Sequence, residues 1–102
     1  MIVICNLKSC KMEYEYDVRV DRRSVLGNPY YMKNESERDE VCNKYELLFK
    51  NKIKNDEIFR KEMWRLINLY KKYGKLRLFC WCAPKRCHSE TIKKFIEDFV
   101  NT

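Results

Sequence analysis

The segment at residues 75–82 constrains the fold more than any other part of the sequence, because it alternates with period two and is apolar on both faces. Such a pattern is typical of a strand in the interior of a sheet that helices cover on both sides. A helix follows, starting near His88 or Ser89, and its apolar stripe consists of Ile92, Phe95, Ile96, Phe99 and Val100. This strand and helix predict an α/β architecture.

Two further strands are predicted in the amino-terminal part of the chain. Residues 2–7 begin with apolar, β-branched side chains, and residues 16–21 alternate between apolar and charged positions. In the second strand, Val18 and Val20 are expected to face the core. The opposite face, expected to be exposed or functional, carries Asp17, Arg19 and Asp21.

Two helices are predicted between the second and third strands. Asn34 and Glu37 fit an N-terminal capping pattern, which predicts a helix over residues 35–50. A second helix is predicted after Asn55, because apolar residues recur at helical spacing as far as Gly74, a residue typical of helix ends. The apolar residues of this second helix are expected in the core: Phe59, Met63, Leu66, Ile67 and Tyr70.

The predicted order of elements is β-β-α-α-β-α. We therefore expect one compact α/β domain over residues 1–102, with a short mixed or parallel sheet covered by helices. A chain of 102 residues supports one domain, and its 45% apolar residues supply one core. No apolar run approaches the roughly 18 residues of a membrane span, so no membrane association and a cytoplasmic location are expected. No pattern indicates a cofactor, and none is expected.

The charge balance bears on possible partners. Lys and Arg number 22 against 15 Asp and Glu, which gives a net charge of +7. This charge favours phosphorylated small molecules or nucleotides, nucleic acid, or acidic protein surfaces, although part of the lysine excess is also typical of AT-rich coding. The six cysteines are expected to be reduced, because the amino terminus lacks the features of a secretory signal.

Residues 22–29, here called the arginine loop, combine groups that suit an anion. Guanidinium forks and a hydroxyl can hold phosphate or carboxylate, and a glycine lets the backbone approach a ligand closely. The residues predicted to bind are Arg22, Arg23, Ser24, Gly27 and Asn28. The alternative is that the arginines pair with nearby acidic residues and that the Asn-Pro sequence is only a turn.

Residues 82–89, here called the cysteine loop, lie where open α/β sheets bind ligands, between the end of a strand and the start of a helix. The helix start, together with Lys85 and Arg86, is expected to lower the pKa of the Cys87 thiol. Cys87 and His88 are therefore predicted to be catalytic, with His88 as a general acid or base. Ser89 is predicted to bind the ligand.

Three alternatives apply to the same segment. Zinc-type ligands are present in Cys80, Cys82, Cys87 and His88, although they lie closely spaced in one turn. The C-x5-R spacing from Cys80 to Arg86 is that of tyrosine phosphatase loops, although Pro84 removes an amide that such a loop needs. The cysteines could also be small buried apolar residues.

Two separated motifs carry a resemblance to a family. One is a strand that leads through an arginine-containing L-G-N-P loop into a helix, and the other is a terminal C-x-C-A-P-x-x-C-H segment. With both motifs in order over nearly its whole length, the chain resembles the small phage and bacterial proteins grouped as domain of unknown function 4326. The matching residues are Arg23, Ser24, Leu26, Gly27, Asn28, Pro29, Arg38, Tyr45, Cys80, Cys82, Ala83, Pro84, Cys87 and His88.

The resemblance implies a phage or mobile-element origin and adds Arg38 to the expected ligand-binding residues. It also implies that Arg86 is incidental, because the family pattern leaves that position open. Ser89 and Glu90 stand where the family often has a small residue and an Asp. The family's name attaches no activity to it, so the resemblance does not establish whether the chain is an enzyme.

The leading hypothesis is a pocket, made by the two loops, that binds and could process a phosphorylated, nucleotide-derived ligand. An alternative is a non-enzymatic phage effector that binds a host protein or nucleic acid. A second alternative is a small zinc-stabilised module.

Overall fold

Strands and helices follow one another in the predicted order, β-β-α-α-β-α, in the computed structural model, which describes residues 1–101. The strands are β1 (Ile2–Asn6), β2 (Asp17–Arg19) and β3 (Leu76–Cys80). The helices are α1 (Arg38–Asn55), α2 (Glu57–Tyr73) and α3 (Ser89–Val100), and a 3-10 turn at Glu35–Glu37 precedes α1.

The three strands form a parallel sheet in the order β1-β3-β2. β3 lies in the middle, with Leu78 beside Ile4 on one side and Val18 on the other. The interior position predicted for residues 75–82 is therefore confirmed, and of the two sheet types expected, the parallel one is present. Because all strands run in the same direction, their carboxyl ends share one edge of the sheet, and the arginine and cysteine loops both start there.

The core is built from the apolar stripes that predicted the helices. In α2 the side chains of Phe59, Met63, Leu66 and Ile67 are buried, and in α3 those of Ile92 and Ile96. They pack with the buried residues of the central strand, Leu76 and Leu78, in one cluster. Continuous burial of this kind supplies most of the stability of a small α/β domain.

Of the two expectations for the charged face of the second strand, exposed or functional, exposure is wrong for its carboxylates. Asp17 and Asp21 are both buried. Asp17 accepts two hydrogen bonds from the Arg77 guanidinium, at 2.7 and 2.9 Å, and Arg19 makes a similar bidentate pair with Asp21. Paired with a guanidinium, a carboxylate can be buried at much lower cost than alone.

The helix ends follow the capping signals, with a shift at the first helix. Asn34 accepts a hydrogen bond from the Ser36 amide, but the turn it caps is 3-10, so α1 begins at Arg38 and extends to Asn55, beyond the predicted residue 50. Gly74 ends α2 with φ of 68°, in the left-handed region that favours glycine. Within residues 1–101 the helices are too short or too polar to cross a membrane.

Candidate functional site

The arginine and cysteine loops meet at the carboxyl edge of the sheet. Between them lies a cavity of about 530 Å³, here called the edge pocket. Its wall includes Arg22, Arg23 and Asn28 from the arginine loop. It also includes Arg38 from α1 and Cys82, Cys87 and His88 from the cysteine loop. The volume is within the usual range of small-molecule sites, about 300–1,000 Å³. The structure thus brings together six of the predicted ligand-binding and catalytic residues, together with the alternative zinc ligands Cys80 and Cys82.

Arg22 and Asn28 shape the arginine loop from within. The Arg22 guanidinium donates to the carbonyls of Asn28 and Tyr30, at 3.1 and 3.0 Å, and lies 3.7 Å from the centre of the Tyr31 ring. The Asn28 side chain accepts from the Tyr30 amide at 2.9 Å. These contacts fix the loop while leaving Arg22 on the pocket wall.

Gly27 and Ser24 are not on the wall of the edge pocket. A Cβ at Gly27 would lie 2.4 Å from the Asp21 carbonyl oxygen, so the glycine lets the loop pack against its own backbone. Ser24 Oγ accepts from the Leu26 amide at 3.0 Å. Tyr45 in α1 donates its hydroxyl to the Leu26 carbonyl at 2.7 Å. The close backbone approach expected at Gly27 is present, but to the protein chain itself.

Arg23 differs from the other arginines of the chain. Its side chain is exposed and lines the edge pocket. Of the eight arginines in the sequence, it is the one whose guanidinium has no partner within residues 1–101. The alternative of salt-bridged loop arginines does not apply to it, because Asp17 and Asp21 are paired with Arg77 and Arg19.

Arg38 joins α1 to the cysteine loop. Its guanidinium donates to the Arg86 carbonyl at 2.9 Å and to Glu35 at 2.8 and 2.9 Å, and it lowers the pKa of the Cys82 thiol. It therefore places a positive charge beside a thiol on the pocket wall.

The basic side chains of the cysteine loop point away from Cys87. Lys85 pairs with Glu35 at 3.1 Å, and Arg86 pairs with Asp39 at 2.9 Å. The Cys87 amide is capped by the Glu90 carboxylate at 3.0 Å. The groups expected to activate Cys87 are thus occupied elsewhere, and Arg86 is not part of a phosphate cradle with Cys80.

Three thiols lie together behind this loop. Cys80 Sγ and Cys87 Sγ are 3.4 Å apart and buried, and Cys82 is partly exposed. Hydrogen bonding to Cys80 and Cys82, together with burial, raises the pKa of the Cys87 thiol, so the expected lowering is wrong. The hydrogen bond with Cys87 and, against the effect of burial, the Arg38 guanidinium lower the pKa of Cys82 to about 6. The hydrogen bond with Cys87 also lowers the pKa of the buried Cys80 thiol, to about 5, against the effect of burial. The thiols of lowered pKa on the pocket wall are therefore Cys80 and Cys82, and Cys82 is the partly exposed one.

His88 is buried and hydrogen-bonds to the main chain just after β2. Its Nε2 hydrogen-bonds to the Val20 carbonyl, which makes Nε2 the protonated nitrogen, and its ring packs edge-on against Tyr45 at 5.1 Å. Burial lowers the pKa of the imidazole below its ordinary value, although the Val20 carbonyl opposes this. The proton on Nε2 is thus committed to a structural bond.

The structure does not support two of the predicted roles at this turn, ligand binding by Ser89 and a zinc site. The Ser89 side chain is fully buried and is not on the wall of the edge pocket. Across residues 1–101, no group of three or more His, Cys, Asp or Glu side chains has an arrangement that could hold a metal ion. His88 turns its Nε2 to the Val20 carbonyl, so this nitrogen is not available as the fourth ligand of the zinc hypothesis.

Aromatic residues at the mouth of the edge pocket were not predicted as site residues. Tyr30, Tyr31 and Trp81 line it, and Trp81 is 51% exposed. The Trp81 indole donates to Asp21 at 2.9 Å, and the Arg19 guanidinium lies 5.8 Å from its ring centre. Their positions in the sequence, next to the two motifs, could have indicated them as site residues. Aromatic side chains beside arginines are a common way to hold a planar ligand.

The family model named Domain of unknown function (DUF4326) matches residues 3–98. The chain belongs to this family. The match to the DUF4326 model spans both loops, so the residues of the edge pocket are part of the family's domain. No curated protein and no solved structure matches the chain.

Proposed function

We propose that the protein binds a phosphorylated, nucleotide-derived ligand in the edge pocket. The observation that carries the proposal is the unpartnered Arg23 guanidinium on a pocket wall that also holds Arg22 and Arg38. A guanidinium without a carboxylate partner can give both arms of its fork to a phosphate, which is the geometry that arginine recognises best.

The aromatic mouth supports a nucleotide rather than a simple anion. Tyr31 and Trp81 are exposed at the rim, each beside an arginine, so a planar base can stack there while its phosphate reaches Arg23. Binding is better supported than turnover, because the two residues expected to be catalytic, Cys87 and His88, are buried in fixed hydrogen bonds.

The test is titration of the pure protein with AMP, ADP, ADP-ribose and inorganic phosphate, by thermal shift and by calorimetry. We expect one nucleotide class to bind, and Arg23→Ala to weaken it by about 10- to 100-fold, since a hydrogen bond to a charged group contributes about 1.5–3 kcal/mol. Because Arg23 supports no other residue, Arg23→Ala should fold as the wild type does.

Lys75→Ala is the matched control. Lys75 is exposed beside the start of β3, at the opposite edge of the sheet, so the variant removes the same charge far from the pocket. Its affinity should equal that of the wild type. Equal weakening by Lys75→Ala and Arg23→Ala would mean that binding is only a response to net charge, and absence of binding by every probe would refute the proposal.

A further inference from the structure

The three-thiol cluster has an arrangement that ligand binding does not explain. All three thiols line the edge pocket, but Cys80 is 1% and Cys87 4% exposed, while Cys82 is partly exposed. The Cys87 sulfur is 3.4 Å from that of Cys80, and Cys82, five residues earlier in the same loop, lines the same pocket wall. One thiol is thus open to solvent, and two lie behind it.

We propose that this cluster is a thiol–disulfide exchange centre for low-molecular-weight disulfides, in which Cys82 receives the substrate and Cys87 and Cys80 carry the resulting disulfide inward. The inference is independent of nucleotide binding, although both use the edge pocket. Arg22, Arg23 and Arg38 on the same wall favour a disulfide that carries carboxylates.

The exchange balances in three displacements. The Cys82 thiolate attacks one sulfur of the substrate disulfide, forming a mixed disulfide and releasing the first substrate thiolate. Cys87 gives its proton to that thiolate and attacks Cys82, releasing the second substrate thiolate. The Cys80 thiolate then attacks Cys87, Cys82 leaves as a thiolate again, and water protonates the second substrate thiolate. One substrate disulfide is reduced to two thiols, and Cys80 and Cys87 together lose two electrons.

The geometry allows the inner disulfide to form with a small movement. A disulfide needs its sulfurs about 2.05 Å apart, and those of Cys80 and Cys87 start at 3.4 Å. Rotation of the side chains covers a difference of this size. Because Cys80 and Cys87 are buried and Cys82 is partly exposed, Cys82 is the first of the three thiols that a reagent meets, and this sets the order of the three steps.

The test uses the fully reduced protein and oxidised glutathione, followed by intact mass and tryptic mapping. Lys85 and Arg86 lie between the cysteines, so trypsin leaves Cys80 and Cys82 on one peptide and Cys87 on another. We expect the wild type to lose two mass units and the two peptides to be joined, with fragmentation locating the bond at Cys80 and Cys87. Cys82→Ser should slow this at least tenfold.

Cys87→Ser should stop at a stable glutathione adduct on Cys82, because the resolving thiol is missing. Cys10→Ser is the matched control, since Cys10 is also partly exposed but outside the cluster, and it should react as the wild type does. Cys82 is partly exposed, so Cys82→Ser should fold as the wild type does. Circular dichroism checks the folding of both variants, and the Cys82→Ser result stands even if Cys87→Ser is unfolded.

Three results would overturn the inference: a wild-type rate in Cys82→Ser, an adduct on Cys82 that persists in the wild type, or one mole of zinc per chain that protects these thiols. None of these results depends on nucleotide binding, so the two proposals fail separately.

Discussion

The two loops that form the edge pocket are held in opposite ways. The arginine loop is fixed by hydrogen bonds that involve its own main chain: the Arg22 guanidinium donates to the Asn28 carbonyl, and the Leu26 amide donates to Ser24 Oγ. The cysteine loop is fixed by buried side chains, chiefly Cys87 and His88. The first loop therefore presents charge to solvent on a rigid main chain. The second buries Cys87 and His88, and burial contributes to the pKa shifts of both.

The largest effect is expected from breaking the main-chain packing of the arginine loop with Gly27→Ala. The added Cβ would lie 2.4 Å from the Asp21 carbonyl oxygen and 2.6 Å from the Arg22 Cα, so the backbone must move. We expect a loss of about 3 kcal/mol in the free energy of unfolding, measured by urea denaturation.

Gly74→Ala is the control for this substitution. Gly74 has φ of 68°, but a Cβ there would meet no atom within 4 Å. Only conformational strain is added, which costs about 1–2 kcal/mol. If the two alanine variants lose the same stability, close packing is not what the arginine loop requires of Gly27.

Much of the fold was predictable because its signals are local. The two apolar faces of residues 75–82 indicated a central strand, and the apolar stripe of the last helix indicated its buried side, which carries Ile92 and Ile96. Gly74 marked the end of α2. These patterns depend on which side chains are buried. The spacing of apolar residues along the sequence shows this directly, without knowledge of distant partners.

The parts that were not predicted depend on partners distant in sequence. Asp17 was expected on an exposed or functional face, but Arg77, sixty positions away, pairs with it and allows its burial. The pKa of Cys87 was expected to fall, since Lys85 is close in sequence, yet Lys85 turns to Glu35 and the near neighbours of Cys87 are thiols. The site could be placed from sequence, but not the electrostatics within it.

Tyr45→Phe removes a contact with the arginine loop and keeps one with the cysteine loop, and it is expected to have the second-largest effect. Its buried hydroxyl donates to the Leu26 carbonyl of the arginine loop, and its ring packs against His88 of the cysteine loop. Phenylalanine keeps the ring contact but leaves a buried carbonyl without this donor, which costs about 1–3 kcal/mol. Urea denaturation measures the loss.

Tyr70→Phe is the matched control, because the Tyr70 hydroxyl accepts an exposed hydrogen bond from the Met1 amino group. Its removal should change stability by less than about 0.5 kcal/mol. A Tyr45→Phe variant as stable as Tyr70→Phe would show that the Leu26 carbonyl finds water instead, and that the arginine loop needs no support from α1.

The smallest effect concerns pH and tests the cysteine loop alone. Burial lowers the pKa of His88 in the folded protein, so below the ordinary value of about 6.5 the unfolded chain binds a proton that the folded protein does not. Stability is thus highest above pH 6.5 and falls as the pH drops towards the folded pKa, by at most about 1.4 kcal/mol per pH unit. The loss should appear between pH 6.5 and 5, before most carboxylates titrate.

His88→Gln removes this dependence, because glutamine keeps an amide donor for the Val20 carbonyl but binds no proton. Denaturation of both proteins at pH 7 and pH 5 should therefore give a smaller difference for the variant. His88 is the single histidine of the chain, so its imidazole signal in NMR reports the folded pKa directly, even if the variant is unstable. A folded pKa at or above 6.5 would mean that the imidazole is hydrated, and that the cysteine loop is as open to solvent as the arginine loop facing it.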